Sequence, residues 1–268
     1  MTMAVLGFIG VGSMGGALAR AAARKVTGPS LLLSNRSPEK AERLAAALGG
    51  QVSDNAAVAA GADYIFLGVK PQMLPGVLEK LAPVLQARQS PFVLVTMAAG
   101  TSIARVRQLA GGDYPVIRIM PNTPAAIGQG MILYAPSENV TAAALETFLD
   151  SMSGAGRFAR LEERLIDAGS AVSGCGPAFV DLFIEALADG GVACGLPRSA
   201  AMELAAQMVL GSAALVLSDG RHPGALKDAV CSPGGTTIQG VRALEKGGFR
   251  STVMEAVIAA YEKNFDLK

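Results

Sequence analysis

The sequence predicts an α/β protein in two parts: a doubly wound, mostly parallel sheet over residues 1–156, and an all-helical domain over residues 157–268 that pairs with a second subunit. Three observations predict it. In the first part, short apolar runs rich in β-formers alternate with longer amphipathic stretches, the rhythm of βαβ units around a parallel sheet. After about Gly156 that rhythm gives way to helix after helix. Finally, 268 residues exceed one ordinary core and fall short of three.

The expected strands are Met3 to Ile9, Leu31 to Asn35, Tyr64 to Val69, Phe92 to Met97 and Val116 to Met120. Each is nearly all apolar, as a strand covered on both faces must be. Between them Ser37-Pro38-Glu39-Lys40 opens a helix running to Leu48, with an N-cap serine, proline at the first helical position and a carboxylate in the first turn. In the second part, Phe179, Leu182, Phe183, Ala186 and Leu187 form the stripe of a helix with one buried face. Ser199 to Ser218 is longer and apolar on more than one side, so it needs cover from several directions, and a second copy of the chain is a ready source.

Composition excludes several classes. Hydrophobic residues make up 51% of the chain and charged residues 17%, enough apolar surface for ordered cores. A net charge of +1 gives no field to gather nucleic acid or an acidic membrane surface, so neither is an expected partner. Cys175, Cys194 and Cys231 show no CxxC spacing, and the single His222 has no ligand-like neighbours, so no metal site is expected. Reduced thiols suit the cytoplasm, the expected location. The charge-free stretch from Met1 to Ala19 lacks a preceding Lys or Arg and is interrupted by five glycines, which serves neither a secretory signal nor a membrane span. Proline and glycine likewise break Ile119 to Ser137.

The first strand runs directly into Gly10-Val11-Gly12-Ser13-Met14-Gly15 and then a helix. In that setting the GxGxxG spacing has a physical meaning. Gly10 allows the tight turn, Gly12 lets the backbone approach a pyrophosphate, Gly15 permits close helix packing, and the helix N-terminus faces the negative charge. The domain is therefore of Rossmann type, and a dinucleotide is its expected cofactor. At the end of the second strand, where an NAD enzyme places a carboxylate about twenty residues beyond the glycines, stand Ser34-Asn35-Arg36-Ser37. Donors and a cation would welcome a 2′-phosphate that a carboxylate would repel, so NADP is the expected form. A solvated loop arginine would look the same, and the argument leaves use of NAD open. Further strand ends carry Gly68-Val69-Lys70-Pro71, Met97-Ala98-Ala99-Gly100 and Pro121-Asn122. Ligands of an open parallel sheet lie at that edge.

Two segments of the helical part are unlike core: Ser173-Gly174-Cys175-Gly176-Pro177 and Ser232-Pro233-Gly234-Gly235-Thr236-Thr237. Each reads as a glycine-rich turn entering a helix, leaving backbone N–H groups free at the positive end of a helix dipole, which suits a carboxylate. Plain helix capping explains the same residues, and from them alone it is the simpler reading.

These residues also carry a resemblance. Along essentially its whole length the chain resembles pyrroline-5-carboxylate reductase, through Ile9-Gly10-Val11-Gly12, Val69-Lys70-Pro71, Ala98-Ala99-Gly100, Pro121-Asn122-Thr123-Pro124, Ser173-Gly174, Gly176-Pro177-Ala178, Ala188-Asp189-Gly190-Gly191 and Gly195-Leu196-Pro197. Its most specific part is Leu226-Lys227-Asp228 leading into Ser232-Pro233-Gly234-Gly235-Thr236-Thr237, with Gly247-Gly248-Phe249-Arg250 behind. The resemblance implies NADPH held by the glycine turn with Ser13 and Met14, by Asn35, Arg36, Ser37 and Asn55, and by the strand ends at Val69-Lys70-Pro71, Met97-Ala98-Ala99 and Pro121-Asn122. It implies pyrroline-5-carboxylate as substrate and proline as product, with Ser232, Gly234, Gly235 and Thr236 gripping the carboxylate, Ser173 and Gly174 alongside, and Thr237 bonding the ring nitrogen as the catalytic contact. It implies an intertwined homodimer through the helical domains and admits further assembly to a decamer. Cys175 and Cys231 stand where relatives often have serine, and Ala229 and Gly220 where some have polar side chains, so contacts there do not carry over.

Two other functions fit parts of the sequence. A hydroxy-acid or keto-acid reductase would need a lysine in the helical domain to protonate a carbonyl oxygen, and Ser173 to Leu196 has none. A non-catalytic NADP sensor would need no carboxylate site, which leaves the Ser232 to Thr237 turn unexplained.

Overall fold

Five apolar strands lie side by side in one direction because each can bury both faces. The computed structural model describes residues 3–264. Its first strands and helices are β1 (Leu6–Ile9), α1 (Ser13–Ala22), β2 (Leu31–Ser34), α2 (Pro38–Leu48), β3 (Gln51–Val52), α3 (Asn55–Gly61) and β4 (Tyr64–Leu67). They are followed by α4 (Leu74–Ala87), β5 (Val93–Thr96), α5 (Ile103–Ala110), β6 (Val116–Met120), β7 (Gly130–Pro136), α6 (Ala142–Met152), β8 (Gly156–Arg160) and α7 (Ile166–Ser173). The eight-stranded sheet has the order β3-β2-β1-β4-β5-β6-β7-β8, parallel except where β7 runs antiparallel to β6. The order reverses between β1 and β4, the switch point of a doubly wound sheet.

Side-chain alternation divides the core between the two faces. Phe8 and Phe66 stack at 4.4 Å with Phe148 beside them, over α1 and α6. Ile9, Ile65 and Leu67 turn the other way, onto Leu78, Leu81 and Val106 of α4 and α5. A third cluster joins Ile166 of α7 to Met120, Leu133 and Ala135.

The five expected strands are present and the predicted helix at Ser37 forms, with Ser37 at the N-cap, although its hydroxyl makes no capping bond. Three strands went unforeseen. β3 is two exposed residues, and β7 begins at a glycine and ends at a proline. In β8 Gly156, Phe158 and Ala159 are half-buried while Arg157 and Arg160 are exposed, so it shows no apolar run. The sheet therefore continues past residue 156, through β8.

The chain divides into two compact units, one comprising residues up to Cys175 with the segment from Ala260 onward, the other Gly176–Ala259. The second holds α8 (Gly176–Ala193), α9 (Arg198–Asp219), α10 (Pro223–Ala229) and α11 (Thr236–Lys246), and most of α12 (Phe249–Lys263). Its buried centre is small: Ala188, Ala201 and Ala205 where α8 meets α9, with Ile184, Leu187 and Val192 packed around them. Leu204, Met208, Leu210, Leu215 and Leu217 of α9 are exposed. By length and composition α9 and the stretch Glu163–Ala193 could each cross a membrane, and in each only 11% of the most apolar stretch is buried within the single chain.

Candidate functional site

All five parallel strand ends open on one edge of the first unit, and the glycines decide how closely they approach. Gly10 leaves β1 at φ +96°, a left-handed conformation that other residues adopt at a cost. Its N–H donates to the Ser34 carbonyl at 2.8 Å, and the Gly68 N–H at the end of β4 donates to the Ile9 carbonyl at 2.8 Å. A Cβ on Gly15 or on Gly68 would overlap the Gly10 carbonyl oxygen. A Cβ on Gly12 would meet nothing within 4 Å. Gly15 and Gly68 are thus glycines because protein crowds them, whereas Gly12 faces open space, the position from which a pyrophosphate would approach. Gly12 is the N-cap of α1 and no side chain caps it, so Ser13, Met14 and Gly15 present first-turn N–H groups to that space. The donor set suits a dinucleotide phosphate.

The loop after β2 is more structural than expected. Asn35 Oδ1 accepts from the Val11 N–H at 3.2 Å, and its Nδ2 donates to the Ser37 carbonyl at 3.1 Å, so the amide ties this loop to the glycine turn. Ser34 Oγ is 2.6 Å from Asn55 Oδ1, fixing the first residue of α3, whose N-cap Asp54 accepts from the Ala57 N–H at 2.7 Å. Arg36 is exposed. Val69, Lys70 and Pro71 leave β4, with Lys70 exposed, and Met97, Ala98 and Ala99 leave β5, with Ala98 buried.

An open cleft of about 450 Å³ runs from Val11, Gly12 and Ser13 along the groove between α1 and α2. Arg20 of α1 and Lys40 and Arg43 of α2 line it, and among the described residues no carboxylate does. Sequence reasoning missed these three, because α1 and α2 had to be placed side by side before their cations could be seen to converge. It also left out Gly68, whose position directly after an apolar strand was the available signal.

Pro121 and Asn122 follow β6 and are buried. Asn122 is engaged by protein at both ends of its amide: Oδ1 accepts from the Met131 N–H at 2.9 Å and Nδ2 donates to the Ser173 carbonyl at 2.9 Å. Beside it, Arg118 of β6 is 4% exposed and its Nη2 lies 2.5 Å from Asp167 of α7. Arg118 Nη1 is 3.6 Å from Glu163, whose carboxylate also accepts from the Ile103 N–H at 2.7 Å and so closes the start of α5.

One expectation is corrected here. Ser173 and Gly174 are not a free-amide turn entering a helix: Ser173 ends α7, and the N–H groups of Gly174 and Cys175 both donate to the Ser170 carbonyl, at 2.8 and 3.0 Å. Gly174 keeps helical dihedrals, so the backbone is spent on helix closure.

In the second unit the other segment does have the predicted form. The Gly235 N–H donates to the Ser232 carbonyl at 3.0 Å, closing a turn that carries Gly234 at φ +69°. A Cβ on Gly235 would overlap Ser232 Oγ. Gly235 is the N-cap of α11 without a side-chain cap, so Thr236 and Thr237 bring unspent first-turn N–H groups, and both threonines are exposed. Just upstream, Lys227 lies 2.5 Å from Asp228, and that hydrogen bond is the main cause of the upward shift of its pKa.

Comparison with known proteins covers both units. Residues 163–267 match the family model for pyrroline-5-carboxylate reductase dimerisation, and residues 5–100 match that for NADP oxidoreductase, coenzyme F420-dependent. The pyrroline-5-carboxylate reductase of Glycine max is 43% identical over 265 residues, covering 98% of this chain and 95% of that protein. The enzyme of the same name from Synechocystis is 44% identical over 266 residues, covering 98% and 97%. A crystal structure of Plasmodium falciparum pyrroline carboxylate reductase with NADP bound superposes with a TM-score of 0.87 at 33% identity, covering 98% of each chain. A dinucleotide-type glycine turn and a helix-start turn on a helical unit, with likeness that spans both, lead to one assignment: the chain belongs to the pyrroline-5-carboxylate reductase family.

Proposed function

We infer that this protein is a pyrroline-5-carboxylate reductase, passing hydride from NADPH to the C=N carbon of 1-pyrroline-5-carboxylate to give L-proline, the last step of proline biosynthesis. The observation that carries the reading is end-to-end likeness, at 43% and 44% identity, to enzymes of that name. In this reading the sheet domain, expected over residues 1–156 and extended by β8 and α7, binds NADP, and the helices that follow hold the substrate and form the dimer, which assembles further into a decamer.

Bound at the glycine turn, NADPH supplies the hydride. The residues of the chain orient and enclose. A cyclic imine brings its own basic nitrogen, and once that is protonated its carbon accepts hydride, so no strong acid or base is demanded of the protein. The Ser232 to Thr237 turn grips the carboxylate with Ser232 and the first-turn amides, on a backbone shaped by the positive φ of Gly234 and the close approach of Gly235 to Ser232 Oγ. The Thr237 hydroxyl bonds the ring nitrogen and so orients the imine. Met97 and Ala99 supply small or apolar surface for the nicotinamide ring, the buried Ala98 and Pro121 shape the strand ends behind it, and Val69, Lys70 and Pro71 border the phosphates. Free thiols at Cys175, Cys194 and Cys231 agree with the cytoplasm as its location.

Preference for NADPH rests on Arg36 and on the cations of the α1–α2 groove. Replacing Lys40 and Arg43 together by alanine is expected to weaken NADPH binding roughly tenfold in low salt and to leave NADH within about twofold, the difference shrinking as salt rises. Equal losses for both nucleotides, read by titration of protein fluorescence, would remove these residues from the preference.

The direct test is NADPH oxidation with pyrroline-5-carboxylate, with proline measured as product, repeated with NADH and with simple 2-keto acids. Turnover of the imine alone is expected. Turnover of keto acids alone would overturn the assignment. Thr237→Ala should lower kcat/KM by roughly 10- to 100-fold, the worth of one hydrogen bond to a charged nitrogen.

A further inference from the structure

Asn122 sits where the sequence places a cofactor contact, yet its amide is committed to joining three elements. It follows β6, receives the N–H of Met131 at the start of β7, and donates to the carbonyl of Ser173, the last residue of α7. Only 8% of it is exposed. The carbonyl it holds belongs to the last turn of a helix, where backbone oxygens have no partner inside the helix.

Besides the packing of Ile166, two contacts farther along α7 fix it to the sheet. One is the buried Arg118–Asp167 pair, nearly two turns before Ser173. The other is Gly169, where a Cβ would stand 2.6 Å from Leu133 of β7, so that α7 lies directly on the strand. Asn122 closes the remaining free end, just ahead of Cys175, where the first compact unit ends and the chain passes into the second.

We propose that Asn122 is a positioning residue for substrate, not a contact for the dinucleotide: it pins the end of α7 and thereby sets the half-buried Ser173 side chain, whose hydroxyl oxygen can still accept while it donates to the Gly169 carbonyl at 3.1 Å. The effect on substrate rests on the function inferred above; the clamp itself does not. Asn122→Asp keeps the acceptor for Met131 but sets a carboxylate oxygen against the Ser173 carbonyl. Asn122→Ala removes both bonds, and the aspartate variant serves if the alanine variant does not fold.

The experiment uses the full chain. NADPH dissociation constants come from fluorescence titration, KM and kcat for pyrroline-5-carboxylate from NADPH oxidation, and amide hydrogen exchange is followed in residues 171–175. The expected result for Asn122→Asp is a NADPH dissociation constant within about twofold of the parent, a substrate KM raised about tenfold, and faster exchange of the Gly174 and Cys175 amides. A weakened NADPH affinity with substrate KM unchanged would overturn the proposal in favour of direct cofactor contact. Unchanged exchange in residues 171–175 would overturn the clamp. If the parent protein turned over no pyrroline-5-carboxylate, the assigned reaction would fail, while the exchange and NADPH arms would still decide whether Asn122 holds α7.

Discussion

Gly12→Ala is expected to weaken NADPH binding by about 100-fold or more while the protein stays folded. The two halves of that result have separate physical causes. Gly12 has φ −67° and open space around its missing side chain, so an alanine meets neither backbone strain nor a protein neighbour. Thermal stability should hold within about 0.5 kcal/mol of the parent. The methyl group would instead occupy the space through which a pyrophosphate must come to the first-turn amides of α1, and those donors lose their reach once the anion is held off. Gly15→Ala makes the contrast, because there the added Cβ overlaps the Gly10 carbonyl oxygen and α1 cannot close on the turn. Isothermal titration with NADPH and a melting curve on the same samples separate the cases. Retention of parental affinity in Gly12→Ala would place the pyrophosphate elsewhere.

Asp167→Ala is expected to cost about 3–5 kcal/mol of stability, the usual consequence of leaving one charge of a buried pair without its partner. The Arg118 and Asp167 side chains are 5% and 10% exposed, and Arg118 Nε already lacks a hydrogen-bond partner among the described residues. Glu163, at 3.6 Å, is 34% exposed and committed to the start of α5, so it replaces Asp167 poorly. Replacing both partners, Arg118→Met with Asp167→Leu, should recover most of the loss, since desolvation of the pair offsets much of its attraction. Chemical denaturation of the single and double variants measures this. A loss below about 1 kcal/mol for Asp167→Ala would mean that water reaches the guanidinium.

What could be read beforehand followed a physical line. β1, β2, β4, β5 and β6 were legible because central parallel strands must be apolar on both faces, and α9 because it is apolar most of the way round. β8 was not, since an edge strand carrying Arg157 and Arg160 has no need of an apolar run. The glycine turn was legible because backbone geometry dictates its spacing, and the helix start at Thr236 for the same reason. Asn35 and Asn122 look in sequence like donors awaiting a ligand. Only the partners that folding brings to them, Val11, Met131 and the Ser173 carbonyl, reveal how far their amides are already engaged. The cations at Arg20, Lys40 and Arg43 meet only across two helices.

The core of the helical unit is little more than three buried alanines, while a row of leucines and methionines along α9 faces outward. A fold so thinly filled cannot offset the entropy of ordering its own backbone. For this unit, folding and homo-oligomer assembly become one thermodynamic event, and dilution acts on it as a denaturant does on ordinary domains.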